Sequence, residues 1–198
     1  MNFNLLTVIF ILPSLITLVV MRIRMKPWAE ISSVLGWRWS APVYFLWAIV
    51  FTLIITALAI PFALLVAPGL YLHPSPGTTT YIYARLGLSL SSVIIALLNE
   101  FLFTALGEEV FFRGLLGGWL MKRLGFLVGN LLQTIIFLIP HLLVLFISLR
   151  FWPLLLLPAI AGWLAGWLRY RSNSILPGML THGLGNTISD VLAMALGG

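Results

Sequence analysis

Residues 42–67 contain no charged side chain, and the run exceeds the ~20 predominantly apolar residues that cross a bilayer as a helix. Other apolar runs of similar length recur along the 198 residues, of which 61% are hydrophobic and only 8% charged. Soluble domains carry about a quarter charged residues. The expected product is therefore a polytopic integral membrane protein of the all-α class, a helical bundle forming one domain over residues 1–198. About six transmembrane helices are expected, near 4–21, 42–67, 81–118, 126–149, 151–170 and 177–195.

The connections support this division. Arg22, Arg24, Lys26 and Arg38 are interleaved with Trp28, Trp37 and Trp39, a mixture that suits the membrane interface. Residues 68–80 are rich in Pro, Gly and Thr and read as a loop. The run 81–118 is too long for one straight span, so it must tilt, break or surface, with Gly114, Gly117 and Gly118 as its expected end. Lys122 and Arg123 then mark a turn. Most basic residues fall on one side of a six-span arrangement, so the positive-inside rule places both termini outside. The formal charge of +6 thus reflects membrane topology and gives no reason to expect a nucleic-acid partner. The first run lacks a basic leader and a small-residue cleavage site, so it reads as a retained span. With no cysteine in the chain, disulfides, thiolate metal sites and cysteine nucleophiles are excluded. Gly114 and Gly118, Gly125 and Gly129, and Gly162 and Gly166 are each four apart, a spacing that lets helix backbones approach closely.

Against this apolar background the stretch Gly107-Glu108-Glu109-Val110-Phe111-Phe112-Arg113 stands out, because it holds two of the five acidic residues. A charge at the bilayer centre costs roughly 2.5–3.5 kcal/mol, so such groups face a bundle interior or a wet cavity. Glu109 and Arg113 share a helix face and can pair. Glu108 is rotated by about 100° and has no basic residue four positions away on either side, which leaves it free for chemistry. Other intramembrane polar residues follow helical spacing: Phe137 with His141, and His182 with Asn186 and then Asp190. Asn99 and Glu100 lie two turns before Glu108. Counting ~21 Å back and ~24 Å forward from a turn at 122–125 puts Glu108 and His141 at similar depth. A carboxylate and an imidazole at one level can activate water.

In order and spacing, Glu108-Glu109-x-x-x-Arg113, Phe137-x-x-x-His141 and His182-x-x-x-Asn186 resemble the CPBP family, the CAAX proteases and bacteriocin-processing (Abi) enzymes. The resemblance covers about residues 85–195, with two additional amino-terminal spans within residues 4–67. It implies an intramembrane endopeptidase in which Glu108 and His141 activate water while His182 and Asn186 stabilise the oxyanion. It further implies that Glu109 and Arg113 hold the site together and that Phe137 packs beneath it. The implied partners are membrane lipid and a membrane-associated peptide, either prenylated or bacteriocin-like. No cofactor is favoured, although Glu108, His141 and His182 supply the donor types of a catalytic divalent-metal site such as Zn. The residue types alone leave two alternatives open: a non-catalytic immunity or scaffold protein of the same fold, and a small ion- or proton-coupled transporter.

Overall fold

The structure, a computed structural model, describes residues 5–76 and 78–197. Asn4, the expected start of the first span, and Gly77, within the expected 68–80 loop, lie outside the described residues. Among the described residues the chain is built from helices, with no strand.

α1 (Leu5–Ile23) and the short α2 (Trp28–Leu35) precede α3 (Pro42–Val66). Pro42 sits in the first turn of α3, where its missing N–H would have had no helical partner. Most of α3 faces outward through residues such as Leu46, Leu53, Leu58 and Leu65; Ala48, Thr52 and Ala63 form its buried stripe. After a single turn, α4 (Gly69–Leu72), comes α5 (Thr79–Leu86), whose start is capped by the Thr78 hydroxyl accepting from the Tyr81 N–H at 3.1 Å.

The expected 81–118 run breaks early. Gly87 adopts φ +68°, ψ 166°, a conformation that is essentially restricted to glycine, and Ser89 and Ser92 then form a capping box that restarts the chain as α6 (Leu90–Asn99). From there winding is continuous. A π-helical stretch (Glu100–Ala105), one α-turn, α7 (Leu106–Glu108), and a second π-stretch (Glu109–Gly117) lead directly into α8 (Gly118–His141). Gly114, Gly117 and Gly118 therefore do not end the helix, contrary to expectation. They are points of close approach instead: a Cβ on Gly118 would stand 3.2 Å from the Arg169 guanidinium. The reversal falls at Gly125, with φ +77° and ψ 169° inside α8.

Two 3₁₀ turns (Leu142–Phe146 and Leu149–Leu155) connect to α9 (Leu156–Ser172), which ends on left-handed Asn173. α10 (Leu176–Leu196) closes the fold, packed against α3, α5 and α9.

Among the described residues three helical stretches are long and apolar enough to cross a membrane: Pro42–Val66, Leu90–Phe146 and Leu149–Ser172, with mean hydropathies of 2.8, 1.9 and 1.6. The difference from the six expected spans has identifiable causes. Leu90–Phe146 is folded back on itself at Gly125, and the apolar part of α1, Thr7–Ile23, is shorter. α10, though long, carries the polar residues Thr181, His182, Asn186, Thr187 and Asp190. The chain is an all-α integral membrane bundle.

Polar groups lock the bundle together. The Gln133 side-chain amide donates to Asn130 Oδ1 at 2.9 Å and to the Gly162 carbonyl at 3.1 Å, and Asn130 donates to the Trp163 carbonyl at 3.1 Å. The helical spacing of Asn130, Gln133 and Thr134 was a sequence signal for this α8–α9 clasp, and the small residues Gly162 and Gly166 receive it. At one end of the bundle, Arg169 donates to the Ser33 carbonyl at 3.1 Å, satisfying the end of α2. Ile175 N–H donates to the Gly36 carbonyl at 2.9 Å. Several basic connections therefore meet at a common end.

Candidate active site

Winding decides where the carboxylates of the central helix point. In a regular α-helix, residues nine apart, such as Glu100 and Glu109, would face opposite sides. A π-helical turn bonds i to i+5 and holds more residues per turn, so six such residues lag an α-helix by roughly a quarter to a third of a turn. The lag brings both carboxylates towards α10. Glu109 Oε1 accepts from His182 Nδ1 at 3.1 Å, and Glu100 Oε2 accepts from Asn186 Nδ2 at 2.9 Å. One helix thus grips two side chains that lie one turn apart on another. Close approach is possible because α10 carries Gly178 and Gly183 there. A Cβ on Gly178 would stand 2.7 Å from Glu109 Oε2, and one on Gly183 would stand 2.8 Å from the Phe101 ring.

Glu109 is fully buried and pairs with Arg113 at 3.0 Å, itself 1% exposed. Removing one member of such a buried pair typically costs about 3–5 kcal/mol, because the other charge is left uncompensated. The Arg113 guanidinium also lies 3.9 Å from the Phe137 ring centroid. Phe137 meets Phe112 edge-on at 5.1 Å and the His141 ring at 4.6 Å. A buried aromatic wall, Phe10, Phe112 and Phe137, therefore backs the ion pair.

The two histidines present different nitrogens. His141 Nδ1 is 2.9 Å from the Phe137 carbonyl oxygen; since a carbonyl only accepts, that nitrogen carries the hydrogen and Nε2 keeps its lone pair. His182 gives its Nδ1–H to Glu109, which leaves Nε2 facing Glu108 Oε2 at 3.7 Å. That Glu108 oxygen is buried and has no hydrogen-bond partner among the described residues. At 3.7 Å the two atoms are too far apart for a direct hydrogen bond, but a single water could lie within reach of both.

Glu109, Arg113, Phe137, His141, His182 and Asn186 all line one cavity of about 240 Å³, whose opposite wall is the Thr52, Thr56, Ala59 and Ala63 face of α3. Six of the seven residues singled out from the sequence thus share one space. Glu108 is not among the described lining residues and approaches the cavity through His182. No described hydrogen bond or ion pair joins Glu108 to His141; the imidazole nearest Glu108 is that of His182. The possible metal ligands, Glu108, His141 and His182, do not gather as a ligand set. Among the described residues no group of three or more His, Asp or Glu is placed to hold a metal ion.

A family model, the Rce1-like type II CAAX prenyl endopeptidases, matches residues 89–188. The chain belongs to that family. Membership makes it, in general class, a CAAX-type intramembrane endopeptidase. The match begins at the capping box of α6 and ends within α10, so it takes in Glu100, both members of the buried pair and both histidines. It excludes α3, although that helix supplies a wall of the cavity. No curated protein and no solved structure matches the chain.

Proposed function

We propose that the chain hydrolyses a peptide bond of a membrane-associated substrate, with Glu108 as general base and His141, His182 and Asn186 completing the site. The observation that carries the proposal is the unpartnered Glu108 Oε2 held 3.7 Å from His182 Nε2, at the edge of a cavity that His141 and Asn186 also enter. A water touching both atoms gives its proton to Glu108 as its oxygen attacks the scissile carbonyl carbon. Through a further water in the gap Glu108 passes the proton to His182 Nε2, which becomes a donor towards the new oxyanion alongside the Asn186 amide. The same proton returns by way of Glu108 to the leaving nitrogen as the C–N bond breaks, and His141, which lines the same cavity, orients the attacking water through its Nε2 lone pair. Glu109 and Arg113 fix the His182 ring, and Phe137 backs it.

No step runs through a metal, since the donor groups are not arranged as ligands. The cavity walls are largely apolar, from Ile55, Ala59 and Ile60 on one side to Leu157, Pro158 and Ala161 on the other. They suit a lipid-modified or membrane-embedded peptide, prenylated or bacteriocin-like, entering from the bilayer. Glu108→Gln tests the reading: cleavage of a quenched C-terminally prenylated peptide in proteoliposomes should fall by about a hundredfold or more while the helical CD spectrum and melting temperature hold. Undiminished cleavage by that variant removes Glu108 from the reaction.

A further inference from the structure

Glu100 is 4% exposed inside the bundle and has no place in the reaction as described. Its hydrogen-bond partners among the described residues are two side-chain amides: Asn99 donates to Oε1 at 2.9 Å and Asn186 donates to Oε2 at 2.9 Å. Asn186 is simultaneously a lining residue of the cavity. A primary amide carries two Nδ2 hydrogens. With one committed to Glu100, the plane of the Asn186 side chain is fixed, and the second hydrogen keeps a set direction. A second carboxylate of the same continuous winding does the parallel work: Glu109 takes the His182 Nδ1–H at 3.1 Å, one turn earlier on α10.

We infer that Glu100 is a positioning residue that aims the Asn186 amide at the reacting carbonyl. Three structural features serve this arrangement. The π-winding that begins at Glu100 turns it towards α10, π-turns being frequent at functional sites. Gly183, between His182 and Asn186, lets the Phe101 ring approach to a distance that a Cβ would forbid. Asn99 occupies the other carboxylate oxygen, so the Glu100 side chain cannot swing away without breaking a second bond. A donor aimed in advance stabilises charge without reorganising at the moment of reaction.

The inference rests on the oxyanion role proposed for Asn186, and a double-mutant cycle separates the two. Cleavage of the quenched prenylated peptide is measured for Asn186→Ala, Glu100→Ala, Glu100→Gln and Glu100→Ala/Asn186→Ala, with kcat and KM resolved. Asn186→Ala should lower kcat about a hundredfold. Glu100→Ala should lower kcat at least tenfold with KM changed less than twofold, and the double variant should be no slower than Asn186→Ala alone. Glu100→Gln keeps an acceptor oxygen and should recover most of the rate. Multiplying losses in the double variant, or a Glu100→Ala enzyme with wild-type kcat beside an impaired Asn186→Ala enzyme, overturns the inference and leaves the role of Asn186 standing. An unimpaired Asn186→Ala enzyme overturns both. A second readout needs no substrate: in ¹⁵N-asparagine-labelled protein the Asn186 side-chain amide resonances should shift in Glu100→Gln and become averaged in Glu100→Ala. Unmoved resonances overturn the inference as well.

Discussion

Gly178 offers the sharpest test of how tightly the site is held. A Cβ added there would stand 2.7 Å from Glu109 Oε2, whereas ordinary contact begins near 3.4 Å, so the carboxylate must retreat by about 0.7 Å. A free glutamate would rotate away at little cost. Glu109 cannot, because its other oxygen is tied to Arg113 at 3.0 Å and to His182 at 3.1 Å, and its side chain is wholly buried. The displacement therefore passes to the His182 ring and alters the 3.7 Å gap to Glu108. Misplacing a reacting group by 1 Å can cost about a hundredfold in rate, so Gly178→Ala should lose roughly 10- to 50-fold in kcat, about 1.4–2.3 kcal/mol of barrier. The same substitution removes a glycine from a helix, which by itself favours folding by up to about 1 kcal/mol. Activity and stability should thus move apart: slower cleavage in proteoliposomes, with a melting temperature no more than a few degrees changed. A Gly178→Ala enzyme with the parent kcat would refute the claim that Glu109 transmits its position to the reacting water.

Other side chains carry expectations of their own. Gly125 turns the chain with φ +77° in open space, nothing lying within 4 Å of where a methyl group would project, so Gly125→Ala should destabilise by about 1–3 kcal/mol through backbone strain alone, read as a lower melting temperature in detergent. Ala59 lines the cavity from α3; Ala59→Phe should narrow it and raise KM for long-chain prenylated peptides well above that for short-chain ones, as steady-state kinetics on a chain-length series would report. Because Glu108, His141 and His182 are not assembled as a ligand set, cleavage should survive dialysis against a strong chelator with unchanged kcat. Gly166→Val should break the α8–α9 clasp, since a side chain there collides with Asn130 and Gln133, and lower the thermal midpoint whether or not substrate is present.

What can be read from the sequence follows a physical divide. Apolar runs, the reversal near Lys122 to Gly125 and the His182/Asn186 stripe are local properties of composition and period; α3 and α10 follow the expected spans closely and the reversal falls at Gly125, although α8 starts and ends about eight residues before the expected 126–149 span. Winding is not such a property. Nothing in Glu100–Ala105 or Glu109–Gly117 marks these residues as π-helical in preference to α-helical, yet that choice turns Glu100 towards Asn186. Counting the helical rise puts Glu108 level with His141, but depth alone leaves the rotation about the helix axis open, and that rotation brings Glu108 against His182 instead. The break at Gly87 is foreseeable as a need of an overlong run but not as a position, since Gly114, Gly117 and Gly118 are equally good candidates until their packing neighbours are known.

The cavity has two owners. Its acidic, basic and imidazole side chains and Asn186 belong to the segment shared with the family, while the Thr52, Thr56, Ala59 and Ala63 face opposite them lies upstream of that segment. A mutation that reshapes this upstream face leaves every hydrogen bond among the acidic and imidazole groups untouched. A chimera that swaps α3 between two family members should therefore carry the donor's substrate preference while retaining the recipient's rate of bond breaking.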